Sequence, residues 1–117
     1  MPAWEDVVRI GLGFPGVFES TSYGTPALKA KKQAGTMCRL RTDPDALVVR
    51  VRDMGEREAL LQNGGPAFFT VPHYDGYPYV LIDLDRVDPG ELAELVEDAW
   101  RIMAPKRAVT RYDDQRG

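Results

Sequence analysis

The chain has 117 residues, 44% of them hydrophobic and 28% charged, with a formal net charge of −3. These values are typical of one globular domain, here residues 1–117, and they give no overall attraction to nucleic acid. No apolar run is long enough to cross a bilayer, and the opening MPAWEDVVRI lacks the pattern of a signal peptide. The single cysteine, Cys38, cannot form an internal disulfide, so we expect a cytoplasmic protein.

The first predicted element is a helix from about residue 3 to 12. Trp4, Val7 and Leu12 fall near helical spacing, and GLGFPG (11–16) ends the helix. The same stretch matches the glycine pattern of dinucleotide-binding folds, but that pattern has to follow a strand and open a helix. Because these glycines close a helix instead, we interpret them as a helix end and a turn.

Four short alternating runs follow, and they are typical of β-strands. They cover residues 17–22, 27–32, 36–41 and 47–52, with turn residues between them. A second helix is predicted next, because Asp53 and Glu56 have the spacing of a capping box. Gly64, Gly65 and Pro66 then end the helical pattern.

The last third of the chain predicts a hairpin, a helix and a tail. Asp75-Gly76 lies between two apolar segments, residues 67–74 and 77–84, which favours a two-residue β-turn. The last helix is capped by Asp88 and carries an apolar stripe at helical spacing: Leu92, Leu95, Val96, Ala99, Trp100 and Met103. The basic tail, about residues 104–117, is expected to fray at its end.

The order of these elements predicts an α+β fold. One helix precedes three or four strands, and a helix, two strands and a last helix follow. Strands joined by tight turns pair antiparallel, and one-sided alternation places the helices on one face of the sheet. We therefore expect two layers, a single antiparallel sheet and the helices that cover it.

Cations are concentrated in the middle strands. Residues 20–52 hold seven lysines and arginines against two aspartates, a local charge of +5, so the rest of the chain carries −8. Pairing Leu28 with Leu40, and Leu40 with Val49, keeps the apolar residues on one face. The other face then presents six cations: Lys29, Lys31, Arg39, Arg41, Arg50 and Arg52. Two interpretations stay open, a surface for an anionic partner such as a phosphate backbone, and a solvated face that prevents aggregation.

The segment HYDGYPY (73–79) contains the one histidine of the chain and three tyrosines. The carboxylate nearest to His73 in sequence is Asp75, which the turn is expected to use, and no nucleophile is evident nearby. Neither His73 nor Cys38 lies in a metal-ligand spacing, so we predict no catalytic residue, no metal and no cofactor. Cys38 is predicted to be a small buried apolar residue. The favoured interpretation of the segment is a structural turn. The alternative is a cleft for an anionic ligand or peptide, lined by His73, Tyr74, Tyr77, Tyr79, Trp100, Lys106 and Arg107.

Several motifs, in the same order along the chain, resemble the MmcQ/YjbR family. They are FPGVFES, YGTPALK, GTMCRLR, FFTVPHYDGYPYVLIDL and LVEDAWRIMAPKRA. The resemblance implies a compact CyaY-like or secretion-chaperone-like fold whose hairpins are similar to a double-wing DNA-binding motif. Carried onto this sequence, the wings fall on residues 27–52, and the implied DNA contacts are Lys29, Lys31, Lys32, Arg39, Arg41, Arg50 and Arg52. Leu28 and Gly35-Thr36 depart from the family pattern, and the second change removes a cation from a hairpin tip.

Two functions from different classes are thus expected. The first is a non-enzymatic DNA-binding protein whose basic hairpins contact the phosphates of double-stranded DNA. The alternative is a protein-interaction module that binds an acidic partner or peptide through the sheet face or the HYDGYPY cleft, which the acidic remainder of the chain favours because it repels DNA. An enzyme using His73 is the third and weakest hypothesis. We predict no membrane partner, and the sequence does not indicate an oligomeric state.

Overall fold

The computed structural model describes residues 2–116. Its helices are α1 (Trp4–Leu12), α2 (Met54–Asn63), α3 (Pro89–Met103) and α4 (Lys106–Arg116), with a short 3-10 helix at Pro72–Tyr74. Its strands are β1 (Phe18–Ser22), β2 (Thr25–Lys29), β3 (Thr36–Arg41), β4 (Ala46–Arg50), β5 (Phe68–Phe69) and β6 (Tyr79–Ile82). No helix in this part of the chain combines the length and the apolar character that a membrane span requires.

All six strands form one antiparallel sheet in the order β1-β2-β3-β4-β6-β5. The predicted α+β class and two-layer arrangement are confirmed, because the α-helices pack on one face of this sheet. Hereafter this face is the closed face. Its strands contribute Leu28, Cys38, Val49 and Val80, all buried in a single core together with Trp100 of α3.

Local signals in the sequence account for two of the helices. Asp53 and Asp88 accept hydrogen bonds from the backbone N–H groups of Glu56 and Glu91, as the capping pattern predicts. The whole predicted stripe of α3 is buried. These caps fix where each helix starts, and the stripe fixes which side of α3 faces the sheet.

The predicted strand register was wrong by two residues. Leu28 lies opposite Cys38 rather than Leu40, and Leu40 lies opposite Leu47 rather than Val49. A shift of two residues leaves Leu28, Cys38 and Val49 together on the predicted face, because side chains alternate with a period of two. Alternation therefore determines the face, while the loops and the bulge between Leu28 and Lys29 select the register.

The predicted two-residue hairpin at Asp75-Gly76 was also wrong. The strands pair only from Phe68 with Ile82 and Phe69 with Leu81, so residues 70–78 form a long connection that contains the 3-10 helix. Asp75 has φ −60° and ψ 128°, Gly76 has φ +82°, and the Tyr77 N–H donates to the Tyr74 carbonyl at 3.1 Å. This is the geometry of a type II turn, which needs glycine at its third position. The dipeptide makes a turn inside the connection instead of joining two strands.

The tail is helical, which corrects the prediction of a frayed end over the described residues. Tyr112 of α4 packs its ring against Trp100 at 5.0 Å and against Phe14 at 5.6 Å between centroids. The Arg101 guanidinium donates two hydrogen bonds to the Asp113 carboxylate, at 2.9 and 2.8 Å. The helix is thus stabilised by tertiary contacts with α3 and with the loop after α1, which a local apolar pattern does not reveal.

Candidate binding cleft on the open face of the sheet

The face of the sheet opposite the α-helices carries a small second apolar cluster and a cleft. We call it the open face. Ala46, Val48, Tyr74 and Leu81 are buried there, beneath the connection formed by residues 70–78. Beside them lies a cleft of about 420 Å³. It is lined by Ser22, Tyr23, Thr36, Cys38, Arg39, Val48, His73, Tyr74, Tyr77 and Tyr79.

Arg39 of β3 is the charged side chain of the cleft. Its Nε and Nη2 atoms donate to the Tyr74 hydroxyl at 3.1 and 2.6 Å, and its Nη1 donates to the Thr25 hydroxyl at 3.2 Å. Its guanidinium also lies over the Tyr23 ring, 5.0 Å from the centroid. Within residues 2–116 no carboxylate comes within ion-pair distance of Arg39. The cation is held in place by neutral partners, and its charge is not compensated.

Aromatic rings form the rim of the cleft. Tyr23 is 80% exposed and Tyr77 is 58% exposed, although both are large side chains. The His73 ring meets the rings of Tyr74 and Tyr23 edge-on, with centroid distances of 4.8 and 6.1 Å. Exposed tyrosines beside a fixed cation offer both apolar contact and hydrogen bonds to a ligand.

Arg57 of α2 holds the segment that carries three of these aromatic residues. Only 5% of Arg57 is exposed. Its guanidinium donates to the Tyr79 carbonyl at 3.1 Å and to the Thr70 hydroxyl at 2.9 Å, and it lies 4.0 Å from the Asp75 carboxylate. These contacts join both ends of the connection and its turn to α2, so Arg57 determines where the cleft wall stands.

The sequence analysis missed Arg57, although a signal was present. Arg57 precedes the inward-facing Leu60 and Leu61 by three and four residues, which is the spacing of one helix face. An arginine on the apolar side of a short helix needs buried acceptors, and that requirement marks it as a structural residue.

The candidate DNA contacts do not all lie on strands. Strand β2 ends at Lys29 and β4 ends at Arg50, so Lys31 and Lys32 lie in the β2–β3 connection and Arg52 lies beyond β4. The prediction that alternation presents Lys31 and Arg52 from strands was therefore wrong. Among the described residues Arg52 lies 3.6 Å from the Asp53 carboxylate, so its charge is partly compensated.

The arginines within the strands are partly engaged by the fold. Arg41 donates to the Asp43 carbonyl at 3.3 Å, and its Nε is buried without a hydrogen-bond partner among the described atoms. Arg50 donates to the Val51 carbonyl at 2.8 Å and lies near Met103 Sδ and the Tyr79 ring. Their side chains are half-buried, so they are less available to a phosphate backbone than exposed strand residues would be.

The predicted cleft is divided by the sheet. His73, Tyr74, Tyr77 and Tyr79 line it as predicted. Trp100 was wrongly included, because it is fully buried on the closed face and donates from Nε1 to the Pro15 carbonyl at 3.0 Å. Lys106 and Arg107 are exposed at the start of α4 and do not line the cleft either.

Cys38 and the possible metal-ligating side chains are the remaining reactive groups of the sequence analysis. Cys38 is buried in the core as predicted, and burial raises the pKa of its thiol to about 12, so the nucleophilic thiolate is strongly disfavoured. Within residues 2–116 there is no group of three or more His, Cys, Asp and Glu side chains arranged to hold a metal ion. The Arg39 cation, held by neutral partners, makes the cleft chemically suited to binding an anion.

Comparison with known proteins gives a family. The YjbR family model matches residues 12–102 of the chain. Three uncharacterised proteins, one from Mycobacterium bovis and two from strains of Mycobacterium tuberculosis, are each 34% identical over 126 aligned positions, which cover 96% of this chain and 96% of the relative. No solved structure matches the chain. The chain belongs to the YjbR family, the family that its motifs resemble.

Proposed function

We propose that this protein is an interaction module that binds an acidic segment of a partner protein in the cleft of the open face. The observation that carries the proposal is the Arg39 cation, which lines the cleft without a carboxylate partner. A half-buried cation is solvated poorly, and an incoming anion completes its environment. The hydrogen bonds to Tyr74 and Thr25 already order this side chain in the free protein. Binding therefore loses little further side-chain entropy at Arg39.

The shape of the cleft favours a peptide over a flat surface contact. Its volume of about 420 Å³ lies in the range of roughly 300–1,000 Å³ that is usual for ligand sites. Tyr23 and Tyr77 stand exposed at its rim, and tyrosine is enriched where proteins meet. An acidic side chain would enter the cleft while its neighbours in the partner chain lie against these rings.

The proposal is tested by NMR titration of the isotope-labelled protein with a blocked peptide that contains one glutamate between phenylalanines. We expect the backbone signals of the cleft residues to shift, and Arg39→Gln to abolish the shifts. Arg107→Gln is the matched control, since it removes an equally charged side chain that does not line the cleft. Equal binding by all three proteins would reject the cleft as the site.

A second variant separates binding from folding. Arg39→Gln could disturb the open face, because Arg39 bonds to two neighbouring elements. Tyr77→Ala removes an exposed ring and leaves the buried contacts in place. Weaker peptide binding by Tyr77→Ala with unchanged unfolding behaviour supports the proposal, and unchanged binding by both variants contradicts it.

DNA binding by the candidate cations is the second proposal. It is favoured by the exposure of Lys31 and Lys32, which project from the β2–β3 connection in the region that the family resemblance assigns to a wing. If four or five cations contact phosphates, the logarithm of affinity for a random-sequence duplex should fall with that of salt at a slope of about −4. The pair Lys31→Glu and Lys32→Glu should then abolish binding, whereas retention of binding or a flat salt response rejects DNA as the partner.

A further inference from the structure

The hydrogen bonds of Arg39 restrict what its guanidinium can still offer. A guanidinium has five N–H donors. Arg39 makes four donor contacts already: two to the Tyr74 hydroxyl and one each to the Thr25 hydroxyl and the Leu40 carbonyl. No pair of free N–H groups remains side by side. Arg39 therefore cannot make the bidentate hydrogen bonds by which arginine usually binds a phosphate.

The Tyr74 hydroxyl supplies the missing donor. Its oxygen accepts from both Nε and Nη2 of Arg39, and these two bonds occupy its lone pairs. Its own proton donates to no acceptor among the described residues. A hydroxyl that accepts from a cation is polarised, and hydrogen bonds of this kind strengthen one another. Tyr74 is thus an O–H donor with a positive charge directly behind it.

The charge of the cleft is small. Arg39 is the one lining residue that carries a permanent charge, and the polar groups around it are neutral hydroxyls and the His73 ring. A carboxylate carries a single negative charge, whereas a phosphoryl group carries about −1.5 to −2 at pH 7. Burying the excess charge of a phosphoryl group without a partner would be unfavourable.

From these observations, and resting on the proposed function, we propose that the acidic group taken by the cleft is a carboxylate and not a phosphate. The Tyr74 O–H and the remaining N–H on Nη2 of Arg39 lie on neighbouring heavy atoms 2.6 Å apart, and they donate to the two oxygens of one carboxylate. The cleft therefore selects an aspartate or glutamate side chain of the partner over a phosphorylated residue.

Three blocked peptides test this selection, identical except for a central glutamate, glutamine or phosphoserine. By NMR titration we expect the glutamate peptide to bind at least about tenfold more tightly than the glutamine peptide, because a hydrogen bond to a charged group is involved. We expect the phosphoserine peptide to bind more weakly than the glutamate peptide. Tighter binding of phosphoserine would overturn the inference and leave the proposed function standing, whereas no cleft shifts with any peptide would reject both.

Two variants test whether Tyr74 is the donor and whether the single positive charge of the cleft disfavours a phosphoryl group. Tyr74→Phe removes the O–H donor and frees the paired Nε and Nη2 donors of Arg39, so the preference for the glutamate peptide over the phosphoserine peptide should fall about tenfold or more. Tyr112→Phe, which removes a tyrosine hydroxyl outside the cleft, is its matched control. His73→Lys adds a second cation to the cleft and should raise the affinity for the phosphoserine peptide more than for the glutamate peptide. Loss of affinity for all peptides equally in Tyr74→Phe, or no gain for phosphoserine in His73→Lys, would contradict the assignment.

Discussion

The two faces of one sheet are built from the same alternating strands, yet they differ in what covers them. The closed face lies under α-helices and contributes Leu28, Val49 and Val80 to a continuous core. The open face carries Arg39 and Val48 and lies under a 3-10 helix and a turn. One face therefore supplies the continuous apolar core, and the other retains a cation, several hydroxyl groups and a cleft.

This difference separates the residues that stabilise the fold from those available for binding. A closed apolar core contributes stability through burial and leaves no group for a ligand. The open face has a smaller apolar cluster, so its polar groups are held by hydrogen bonds and by Arg57 rather than by packing alone. We expect substitutions on the closed face to act on folding and substitutions at the rim of the cleft to act on binding.

The largest expected effect is on the closed face. Trp100→Ala removes a fully buried ring that stacks on Phe14 at 5.1 Å and donates to the Pro15 carbonyl. We expect a loss of about 3–5 kcal/mol in the free energy of unfolding, measured by urea denaturation. Leu12→Ala, at a partly exposed site on α1, is the control. A loss below about 1 kcal/mol would mean that this face is not close-packed.

The next largest effect on stability is expected at Arg57, which joins α2 to the connection that covers the open face. Arg57→Met keeps most of the volume of the side chain but leaves the Tyr79 carbonyl and the Thr70 hydroxyl without their donor. We expect the free energy of unfolding to fall by about 2–3 kcal/mol, because two buried acceptors lose their hydrogen bonds. The ion pairs with Glu58 and Asp75 add little to this loss, because both carboxylates are largely exposed.

Hydrogen exchange locates that loss. Amides of residues 70–79 should exchange faster in Arg57→Met, and affinity for the glutamate peptide should fall although Arg57 does not line the cleft. Arg52→Met removes an exposed arginine before α2 and is the control. It should change neither the exchange of residues 70–79 nor the affinity for the glutamate peptide. If amide exchange became faster by the same factor over the whole sheet, Arg57 would support the fold in general and would not position the cleft.

Much of the closed face could be predicted from the sequence because its signals are local. The caps at Asp53 and Asp88 and the stripe of α3 each depend on residues within a few positions, and alternation assigned Leu28 and Cys38 to the correct face. The register was not predictable in this way, because pairings that differ by two residues place the same side chains on the same face.

The open face was predicted only in part because its contacts are distant in sequence. Arg39 and Tyr74 were both named as candidates, but for different sites, and the bond between them joins residues 35 positions apart. Asp75-Gly76 favoured a hairpin locally, while Arg57 draws the connection into another path. Helix α4 escaped prediction for the same reason, since Tyr112 is held by Trp100.

A smaller effect is expected at the outer side of the closed face, where Arg101 of α3 pairs with Asp113 of α4. Hydrogen bonds from the Arg101 guanidinium hold the pKa of Asp113 below its ordinary value. The contribution of this pair is therefore complete above about pH 4, the usual pKa of a free aspartate, and is lost as the pH falls through the lower folded value.

We expect Arg101→Gln to lower the hydrogen-exchange protection factors of α4 amides, which compare each rate with the intrinsic rate at the same pH. At neutral pH the variant should be less protected than the native chain, and it should lack the further loss of protection that acid causes in the native chain. Arg111→Gln, at an exposed arginine of the same helix, is the control. An identical acid response in the native and Arg101→Gln proteins would show that the pair does not anchor α4.

The smallest expected effect on folding is at the rim of the cleft. Tyr23→Ala removes an exposed ring whose main contact is the Arg39 guanidinium, so the free energy of unfolding should fall by no more than about 1 kcal/mol. Peptide binding should nevertheless weaken about fivefold or more, because truncating an aromatic contact at an interface commonly costs ~1 kcal/mol or more. Parallel urea denaturation and NMR titration compare the two losses. If stability fell sharply while affinity held, Tyr23 would belong to the fold, and the division of roles between the two faces would be wrong at this residue.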